Sequence, residues 1–329
     1  MTAQDMTITE ETLDPADWAG ARALAHRMVD DAIDHLRGVR DRPLWHEMPA
    51  SVHASFADPL PQGPRPLEAV YSEITDHLLP HPMGNIHPRF WMWYMGAGNF
   101  TGALGDFLAA IDGSNLGGGN MAAAQLDRQV TGWIREMLGF PEGASGTLVN
   151  GGSMANIIGL MAARNAMAGV DLRQEGVDAM PQPLRFYASD QVHNCHHKAM
   201  NLLGLGKKSL CKIPSDNAFR LDLGALKAQI RADRDQGIKP ACVIATAGTT
   251  NTGSIDDLSA IADLCAAEGL WMHVDGCIGA LIVLAPAHRH LVTGIDRADS
   301  LALDLHKGLQ APFDVGCTLV RDRRQHRQT

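Results

Sequence analysis

Residues 241–275 have the sequence ACVIATAGTTNTGSIDDLSAIADLCAAEGLWMHVD, and this stretch decides the fold. It holds two short apolar runs, 241–246 and 270–275, separated by a helical pattern over 256–268. A strand, a helix and a second strand in this order predict a βαβ unit with parallel strands. Ligands of such sheets bind beyond the carboxyl ends of the strands, so the residues that follow each strand are the candidate site.

The same alternation continues on both sides of this unit. Helices are predicted over 122–138, 153–168 and 222–235. Further strands are predicted at 147–149, 184–188, 209–213, 300–304 and 316–320. Seven strands with intervening helices predict an α/β domain built on a mostly parallel seven-stranded sheet.

The first quarter of the chain has a different character. Residues 14–38 open with Asp14-Pro15, which predicts a helix capped at Asp14 with proline in its first turn, and continue with helical spacing of apolar residues. Residues 57–66 hold four prolines and predict an extended connector. Five of the chain's 17 aromatic residues lie between Phe90 and Phe100, which favours a pocket or a subunit contact there. We predict a helical segment over 1–84 and the α/β domain over 85–329.

Composition restricts the class of protein. The 329 residues include 28 basic and 37 acidic side chains, a net charge of −9, which disfavours nucleic acid as a partner. No apolar stretch approaches the roughly 20 residues of a transmembrane helix. The six cysteines form no C-x-x-C pair and lie mostly in apolar runs, which indicates free thiols and a cytoplasmic location.

The first predicted strand runs into NGGSMAN (150–156), where a helix begins. Unpaired N–H groups and the positive end of the helix dipole attract an anion such as phosphate, and glycine lets it approach closely. The motif is neither G-x-G-x-x-G nor a Walker loop, which disfavours a dinucleotide or a nucleoside triphosphate. Taken alone, the segment is equally compatible with a turn that only caps the helix.

The second predicted strand ends in SDQVH (189–193), followed by NCHHK (194–198). His193 and His197 are four residues apart, which would permit a metal on a helix. The segment lacks the glutamate of H-E-x-x-H, and no second ligand pair follows at a zinc spacing. We therefore expect no metal, and predict that the His193 imidazole stacks on a planar ligand.

Two ionisable residues lie at the ends of later strands. Asp275 ends the run 270–275, and Lys307 follows the run 300–304. A buried carboxylate needs a cation or a strong donor as its partner. Burial is expected to lower the pKa of the lysine and make its amine nucleophilic. A buried salt bridge between Asp275 and Lys307 is the alternative.

Together these strand ends meet the requirements of pyridoxal 5′-phosphate. The lysine amine condenses with the aldehyde, the carboxylate keeps the pyridine nitrogen protonated, and the helix N-terminus holds the phosphate. The hydroxyl-rich turn 246–253 offers further polar contacts. The combination is far more specific than any of its parts.

At these residues the chain resembles the group II pyridoxal-phosphate-dependent amino acid decarboxylases, over about residue 15 to the last residue. The matching segments are HPRFW (87–91), NGGSMAN (150–156), SDQVH (189–193), TAGTTNTGSIDD (246–257), HVDG (273–276) and DLHKG (304–308). The resemblance implies the fold type I of pyridoxal-phosphate-dependent transferases, preceded by an N-terminal helical arm. It also implies a homodimer in which that arm wraps the partner subunit.

The resemblance further implies roles for individual residues. Lys307 would be the Schiff-base lysine, Asp275 the partner of the pyridine nitrogen, and His193 the stacking group. The substrate pocket would include Trp91, Trp93 and Tyr94, partly from the neighbouring subunit. The implied cofactor contacts are Gly151, Gly152, Ser153, His193, Thr250, Asp275, Cys277, Asp304, His306 and Lys307.

Three features depart from the family pattern. Gly308 stands where the family usually has tryptophan, and Gly276 where it usually has alanine. Both changes remove bulk, so we expect looser packing around the cofactor. Family members also continue beyond the seventh strand into a mobile loop and a small α/β domain. The sequence ends at Thr329, and we expect that C-terminal domain to be absent from this chain.

The expected reaction is decarboxylation of an L-amino acid to the amine and CO₂. Aromatic substrates are favoured because the pocket segment is rich in aromatic residues and its turn, 96–98, is uncharged. One alternative is a non-catalytic remnant or dimerisation partner. Another is a pyridoxal-phosphate enzyme with a different outcome, namely decarboxylation of glutamate or diaminobutyrate, oxidative deamination or transamination.

Overall fold

The computed structural model describes residues 12–329, which form two compact units. One ends at Trp91, and the other spans Met92–Thr329. The boundary lies seven residues after the one expected from the sequence. The first eleven residues of the predicted N-terminal segment lie outside the described residues.

The first unit is helical. Its α-helices are α1 (Trp18–Arg37), α2 (Ala50–Ser55) and α3 (Leu67–Glu73). The prediction that α1 is capped at Asp14 is wrong, because the Asp17 side chain accepts hydrogen bonds from the N–H groups of Ala19 and Gly20 at 3.0 Å. Asp17 satisfies these free amides and fixes the start of the helix at Trp18.

The first unit buries little apolar surface. The Tyr71 hydroxyl donates to Asp31 Oδ2 at 2.7 Å and joins α3 to α1. Among residues 12–91, the buried apolar side chains are Leu24 and Tyr71. A segment with so few buried apolar side chains gains little stability from its own packing.

The second unit contains the sheet and the remaining α-helices. Its strands are β1 (Ser145–Val149), β2 (Leu184–Ser189), β3 (Leu210–Ile213), β4 (Lys239–Thr246), β5 (Trp271–Asp275), β6 (Ser300–Asp304) and β7 (Gly316–Val320). Its helices are α4 (Phe100–Asp112), α5 (Ala122–Met137), α6 (Gly151–Met167), α7 (Leu172–Glu175), α8 (Cys195–Leu202), α9 (Leu223–Asp235), α10 (Leu258–Glu268), α11 (Leu305–Gly308) and α12 (Arg323–His326).

The seven strands form one sheet in the order β1-β7-β6-β5-β4-β2-β3. The neighbours from β6 to β3 are parallel, and β7 runs antiparallel to both β1 and β6. The predicted mostly parallel seven-stranded sheet is confirmed. Each predicted strand overlaps an observed strand and differs from it by at most two residues at either end.

Helix starts are set by aspartate caps. Asp222 Oδ1 accepts from the Ala225 N–H at 2.9 Å, and Asp257 Oδ1 accepts from the Ala260 N–H at 3.0 Å. The predicted helices at 222 and 256 therefore begin one and two residues later than expected. A capping residue lies outside the helical conformation while its side chain binds the first turn.

Helices cover both faces of the sheet. On one face α5, α9 and α10 pack against the sheet through residues such as Ile134, Ile230 and Ile261. On the other face α6 and α8 contribute Leu160 and Met200. Among residues 12–329, no helix combines the length and hydropathy needed to cross a bilayer.

Two helical glycines provide a matched test of this packing. A Cβ at Gly159 in α6 would lie 2.6 Å from His273 Cε1, whereas a Cβ at Gly132 in α5 meets no atom within 4 Å. We expect Gly159→Ala to lower the free energy of unfolding by about 1–3 kcal/mol through overpacking. Gly132→Ala should raise it by about 0.5–1 kcal/mol, because alanine favours the helix. Chemical denaturation measures both values, and equal gains at the two sites would contradict the packing described.

Candidate active site

A cavity of about 280 Å³ lies at the carboxyl ends of the parallel strands. Its walls come from the start of α6 and from the segments that follow β2, β4, β5 and β6. The structure places all ten residues expected to contact the cofactor around this cavity: Gly151, Gly152, Ser153, His193, Thr250, Asp275, Cys277, Asp304, His306 and Lys307. The structure thus brings these ten residues together at one cavity, and their contacts with the cofactor stay predictions.

The N-terminus of α6 forms one wall. Asn150 precedes the helix without a capping hydrogen bond from its side chain. Gly151 has φ +78°, a conformation that a side chain would strain. A Cβ at Gly152 would lie 2.3 Å from Cys277 Sγ and 2.6 Å from Asp304 Oδ2. Glycine is thus required at both positions, and the first-turn N–H groups have the properties of an anion cradle.

Asp275 ends β5 on the floor of the cavity and is buried. Its Oδ2 lies 2.8 Å from His196 Nε2, and its Oδ1 accepts a longer hydrogen bond from the Cys277 N–H at 3.3 Å. Burial alone would raise the pKa of this carboxyl group. The hydrogen bond and the charge of His196 outweigh burial and hold the pKa of Asp275 below its usual range.

Lys307 lies within the short helix α11 and lines the cavity. Its Nζ is 2.9 Å from Asp304 Oδ2, so the alternative of a salt bridge between Asp275 and Lys307 is wrong. The prediction of a lowered pKa is also wrong for this chain. Burial acts to lower the pKa of Lys307, but the Asp304 carboxylate outweighs it and the net pKa is raised. Asp304 holds the ammonium group in the cavity in its charged form.

Two imidazoles face the cavity. His193 is exposed to it, and a hydrogen bond with Cys195 raises the pKa of His193 above its ordinary value. His306 Nδ1 accepts from the Val315 N–H at 3.2 Å, which assigns the ring hydrogen to Nε2. That Nε2 lies 3.7 Å from Asp304 Oδ1, a buried oxygen with no hydrogen-bond partner among the described residues. Both rings are therefore oriented by backbone groups of their own loops.

A buried polar network lies behind the cavity and was missed by sequence reasoning. Asn156 Nδ2 donates to the Gly152 carbonyl at 2.9 Å, so its Oδ1 accepts from His273 Nε2 at 2.8 Å. His273 Nδ1 then accepts from the Ser300 hydroxyl at 2.8 Å. The ring is neutral, because burial, and then the charge of His196, lower the pKa of His273 to about 3. The network ties α6 to β5 and β6.

His196 was also missed, although its partner was anticipated. The sequence predicted a cation or strong donor as the partner of Asp275. Its histidine spacing, however, singled out the i, i+4 pair His193 and His197 and not His196. The available signal was the burial pattern of α8, in which Cys195, His196, Ala199 and Met200 all face the core. Apolar residues at 199 and 200 place positions 195 and 196 on the inner face of the helix.

The space expected beside the two unusual glycines is filled. A Cβ at Gly276 would lie 2.7 Å from the Ala280 Cβ, and a Cβ at Gly308 would lie 2.7 Å from Leu281 Cδ1. Ala280 and Leu281 therefore leave no room for a side chain at these two positions without a shift. Looser packing around the cofactor itself stays a prediction.

The aromatic segment does not join the described cavity wall. Trp93 and Tyr94 are more than half exposed and lie outside the set of residues that line the cavity. Trp91 is 89% exposed. Their assignment to a substrate pocket stays a prediction.

Cys195, His196 and Asp275 bring potential metal-ligand atoms within 4.8 Å of one another. The 2.8 Å hydrogen bond between His196 and Asp275 accounts for the proximity of two of the three. All six cysteines are free thiols, and four of them are buried. The expectation of no metal remains untested.

The cavity fits pyridoxal 5′-phosphate by its own chemistry. It combines an anion cradle at α6, an ionised carboxylate, an open imidazole and a lysine amine. Thr246 Oγ1 is buried on its wall and has no hydrogen-bond partner among the described residues, so a bound polar group would satisfy it. A fold of this type with such a site defines a pyridoxal-phosphate-dependent α/β protein of fold type I.

The comparison with known families agrees. The model described as "Pyridoxal-dependent decarboxylase conserved domain" matches residues 49–329. The chain belongs to this family. The predicted cofactor, pyridoxal 5′-phosphate, is thereby confirmed as the cofactor of the family, and the resemblance stated from the sequence motifs is confirmed as well.

Individual relatives give the same picture. An aromatic-L-amino-acid decarboxylase of Bacillus atrophaeus is 37% identical over 317 residues, covering 92% of this chain and 62% of the relative. Tryptophan decarboxylase of Catharanthus roseus in complex with L-tryptophan is 27% identical with a TM-score of 0.84, covering 96% of this chain and 69% of that one. Oryza sativa TDC with PLP and tryptamine is 26% identical with a TM-score of 0.85, covering 96% and 66%. The chain spans less than two thirds of the length of the curated relatives it matches.

The buried His273 predicts an acid-sensitive fold. Below pH 6.5 the unfolded chain takes up a proton at this residue, while the folded chain does not until about pH 3. Stability is therefore complete above pH 6.5 and falls by up to about 1.4 kcal/mol per pH unit as the pH drops towards 3.

We expect His273→Gln to make the dependence of the free energy of unfolding on pH shallower between pH 6 and 4. Urea denaturation at several pH values measures the slope. His288→Gln, at an exposed histidine, is the matched control and should keep the parent slope. A parent slope in His273→Gln would contradict a neutral His273.

Proposed function

We propose that this chain forms the cofactor-binding part of an enzyme that decarboxylates L-amino acids, with a preference for aromatic substrates. The observation that carries the proposal is the pair of strand ends in which Asp275 and Lys307 face one cavity beside the N-terminus of α6. Family membership and the aromatic-amino-acid decarboxylases among the relatives support it.

Bound pyridoxal 5′-phosphate supplies an aldehyde that condenses with amines and a ring that accepts the electron pair left behind when CO₂ departs. Asp275, as a carboxylate, would hold the proton on the ring nitrogen. Lys307 would supply the primary amine that anchors the cofactor. His193 would contact the ring and limit its movement.

The remaining residues orient these groups. The first-turn N–H groups of α6, with Ser153 and the Nε2–H of His306, bind the phosphate. Asp304 keeps Lys307 directed into the cavity through their 2.9 Å contact. Because this contact favours the ammonium form, Lys307 must transfer a proton before it acts as a nucleophile, and the Asp304 carboxylate is the nearest acceptor.

The aromatic preference rests on relatives and on the aromatic segment. Relatives named as aromatic-L-amino-acid, tyrosine and tryptophan decarboxylases match over 91–98% of the chain. Trp91, Trp93 and Tyr94 are exposed and available to line a pocket completed by a second subunit.

We also propose that the protein is a cytoplasmic homodimer. The apolar residues Leu104, Phe107, Leu108 and Ile111 follow i, i+3, i+4, i+7 spacing on α4, and all four are exposed. Such a stripe is typical of a face that packs against another protein. The N-terminal segment, with few buried side chains of its own, would wrap the partner. Free thiols are consistent with a reducing compartment.

The function is tested with Lys307→Ala beside the parent chain. We expect the parent to bind pyridoxal 5′-phosphate with a visible absorbance band, and borohydride reduction to fix the cofactor to Lys307, as read by peptide mass. Lys307→Ala should lose both signals, because no other described amine lines the cavity. Lys227→Ala, at an exposed lysine of α9, is the control and should behave as the parent.

Product analysis separates the reactions. Release of CO₂ from phenylalanine, tyrosine or tryptophan supports the proposal, and release only from glutamate or diaminobutyrate corrects the substrate class. Ammonia or a carbonyl product would indicate oxidative deamination or transamination. Cofactor binding without any product would identify a non-catalytic remnant, and failure of the parent to bind the cofactor would refute the assignment.

The dimer has its own test on α4. We expect Leu108→Asp to shift the protein from dimer to monomer in light scattering, because a charge in the stripe must be desolvated on association. Ala109→Asp places the same charge on the other side of the helix and should leave the dimer intact. A monomeric parent, or equal effects of the two changes, would contradict an interface at this face.

A further inference from the structure

His196 is the most completely buried titratable group next to the cavity. It lies in the first turn of α8, one residue after Cys195, and none of its surface is exposed to solvent. Its Nε2 is 2.8 Å from Asp275 Oδ2, while its Nδ1 has no hydrogen-bond partner within the described chain. The Cys195 thiol also lies close to the ring, and the 2.8 Å hydrogen bond is the one directed at Asp275.

The hydrogen bond with His196 leaves Asp275 able to accept a further hydrogen bond from a donor in the cavity. Oδ2 accepts from His196, and Oδ1 accepts a 3.3 Å contact from the Cys277 N–H, with the Cys277 thiol as a further neighbour that lowers the pKa of Asp275. A carboxylate has about four lone-pair sites, so a further donor in the cavity can still be accepted. The hydrogen bond from His196 on α8 also restricts rotation of the Asp275 carboxylate, because rotation would break that bond.

Other ionisable groups surround the pair. Cys195 approaches His196 from α8, and the His273 ring on β5 meets the His196 ring edge-on at 6.3 Å between centroids. Burial opposes a charge on His196, but Cys195 and Asp275 outweigh it and raise the pKa of His196 to about 10. Besides Cys195, the ionisable side chains that line the cavity together with Asp275 are His193, Cys277, Asp304, His306, Lys307 and Asp314.

We infer that His196 is a positioning residue that keeps the Asp275 carboxylate ionised and aimed at the protonated ring nitrogen of the cofactor. The inference rests on the proposed function and extends it to a residue that does not itself touch the cofactor. Without His196, Asp275 would be a buried carboxyl group whose hydrogen-bond support among the described residues comes from Cys277, through its N–H at 3.3 Å and its thiol. Its burial would then favour the neutral acid, which cannot hold a proton on the ring nitrogen.

The test compares two probes on the apo-protein. One is pyridoxal 5′-phosphate, and the other is its 1-deaza analogue, in which a C–H group replaces the ring nitrogen. Equilibrium dialysis gives the Kd of each probe for the parent, His196→Leu, His196→Gln and the control His197→Leu. His197 is the adjacent, half-buried histidine and does not line the cavity. Circular dichroism and thermal unfolding verify that each variant is folded.

We expect His196→Leu to weaken binding of pyridoxal 5′-phosphate by about tenfold or more, the scale of one charge-assisted hydrogen bond. Binding of the deaza analogue should change by less than about threefold. His196→Gln retains an N–H donor and should recover part of the loss, which also guards against failure of the leucine variant to fold. His197→Leu should match the parent with both probes.

A pH series adds a second readout. The ratio of the Kd of His196→Leu to that of the parent should grow as the pH falls from 8 to 5, because only the variant allows Asp275 to protonate in that range. Ionisations of the cofactor itself cancel in this ratio. For the deaza analogue the ratio should stay flat.

The outcomes distinguish failure of the role inferred for His196 from failure of the proposed function. Equal losses for both probes, or no loss for either, would show that His196 only fills space, and would overturn the inference while leaving the function intact. A parent that binds neither probe would overturn the proposed function itself. A flat ratio for pyridoxal 5′-phosphate across the pH series would also contradict the role of His196.

Discussion

The carboxylate of Asp275, buried at the end of β5, is the constraint on which the site depends. A buried charge is stable only when it is paired or well hydrogen-bonded. Here the partner comes from α8, a helix that begins after a different strand, so the charge is tied to the way in which α8 packs on the sheet. Any change that moves α8 away from the sheet would leave the carboxylate without its donor.

The parallel arrangement of the central strands explains why the other functional groups meet this carboxylate. β4, β5 and β6 run in the same direction, so the segments that follow them open on one edge. β7 is antiparallel to β6 and brings β1 back into the direction of the central strands, so that α6 also starts at this edge. The network of Asn156, His273 and Ser300 then locks α6 against β5 and β6. Fold and site are thus stabilised by the same buried contacts.

Much of this arrangement could be predicted because it depends on local patterns. The apolar runs, the glycines at 151 and 152, and the residues that follow each strand are adjacent in sequence to the elements that position them. The errors concern contacts between particular side chains. Lys307 was expected to have a lowered pKa, and its 2.9 Å contact with Asp304, three residues earlier, reverses the direction. His196 was missed as the partner of Asp275, because the two residues lie 79 positions apart in the chain.

The sequence by itself determined the class of fold and the edge of the sheet that carries the site, because hydrophobic periodicity fixes the order of strands and helices and the carboxyl ends of parallel strands meet at one edge. Its resemblance to a family added ten of the residues that line the cavity. Only the tertiary structure decided which partner each buried charge has. Asp275 pairs with His196, 79 residues away in the chain, and Lys307 pairs with Asp304, three residues earlier, because ion pairing depends on distances of a few ångströms between side chains. Such distances depend on how the helices pack on the sheet and on where each side chain points, which sequence spacing alone does not give.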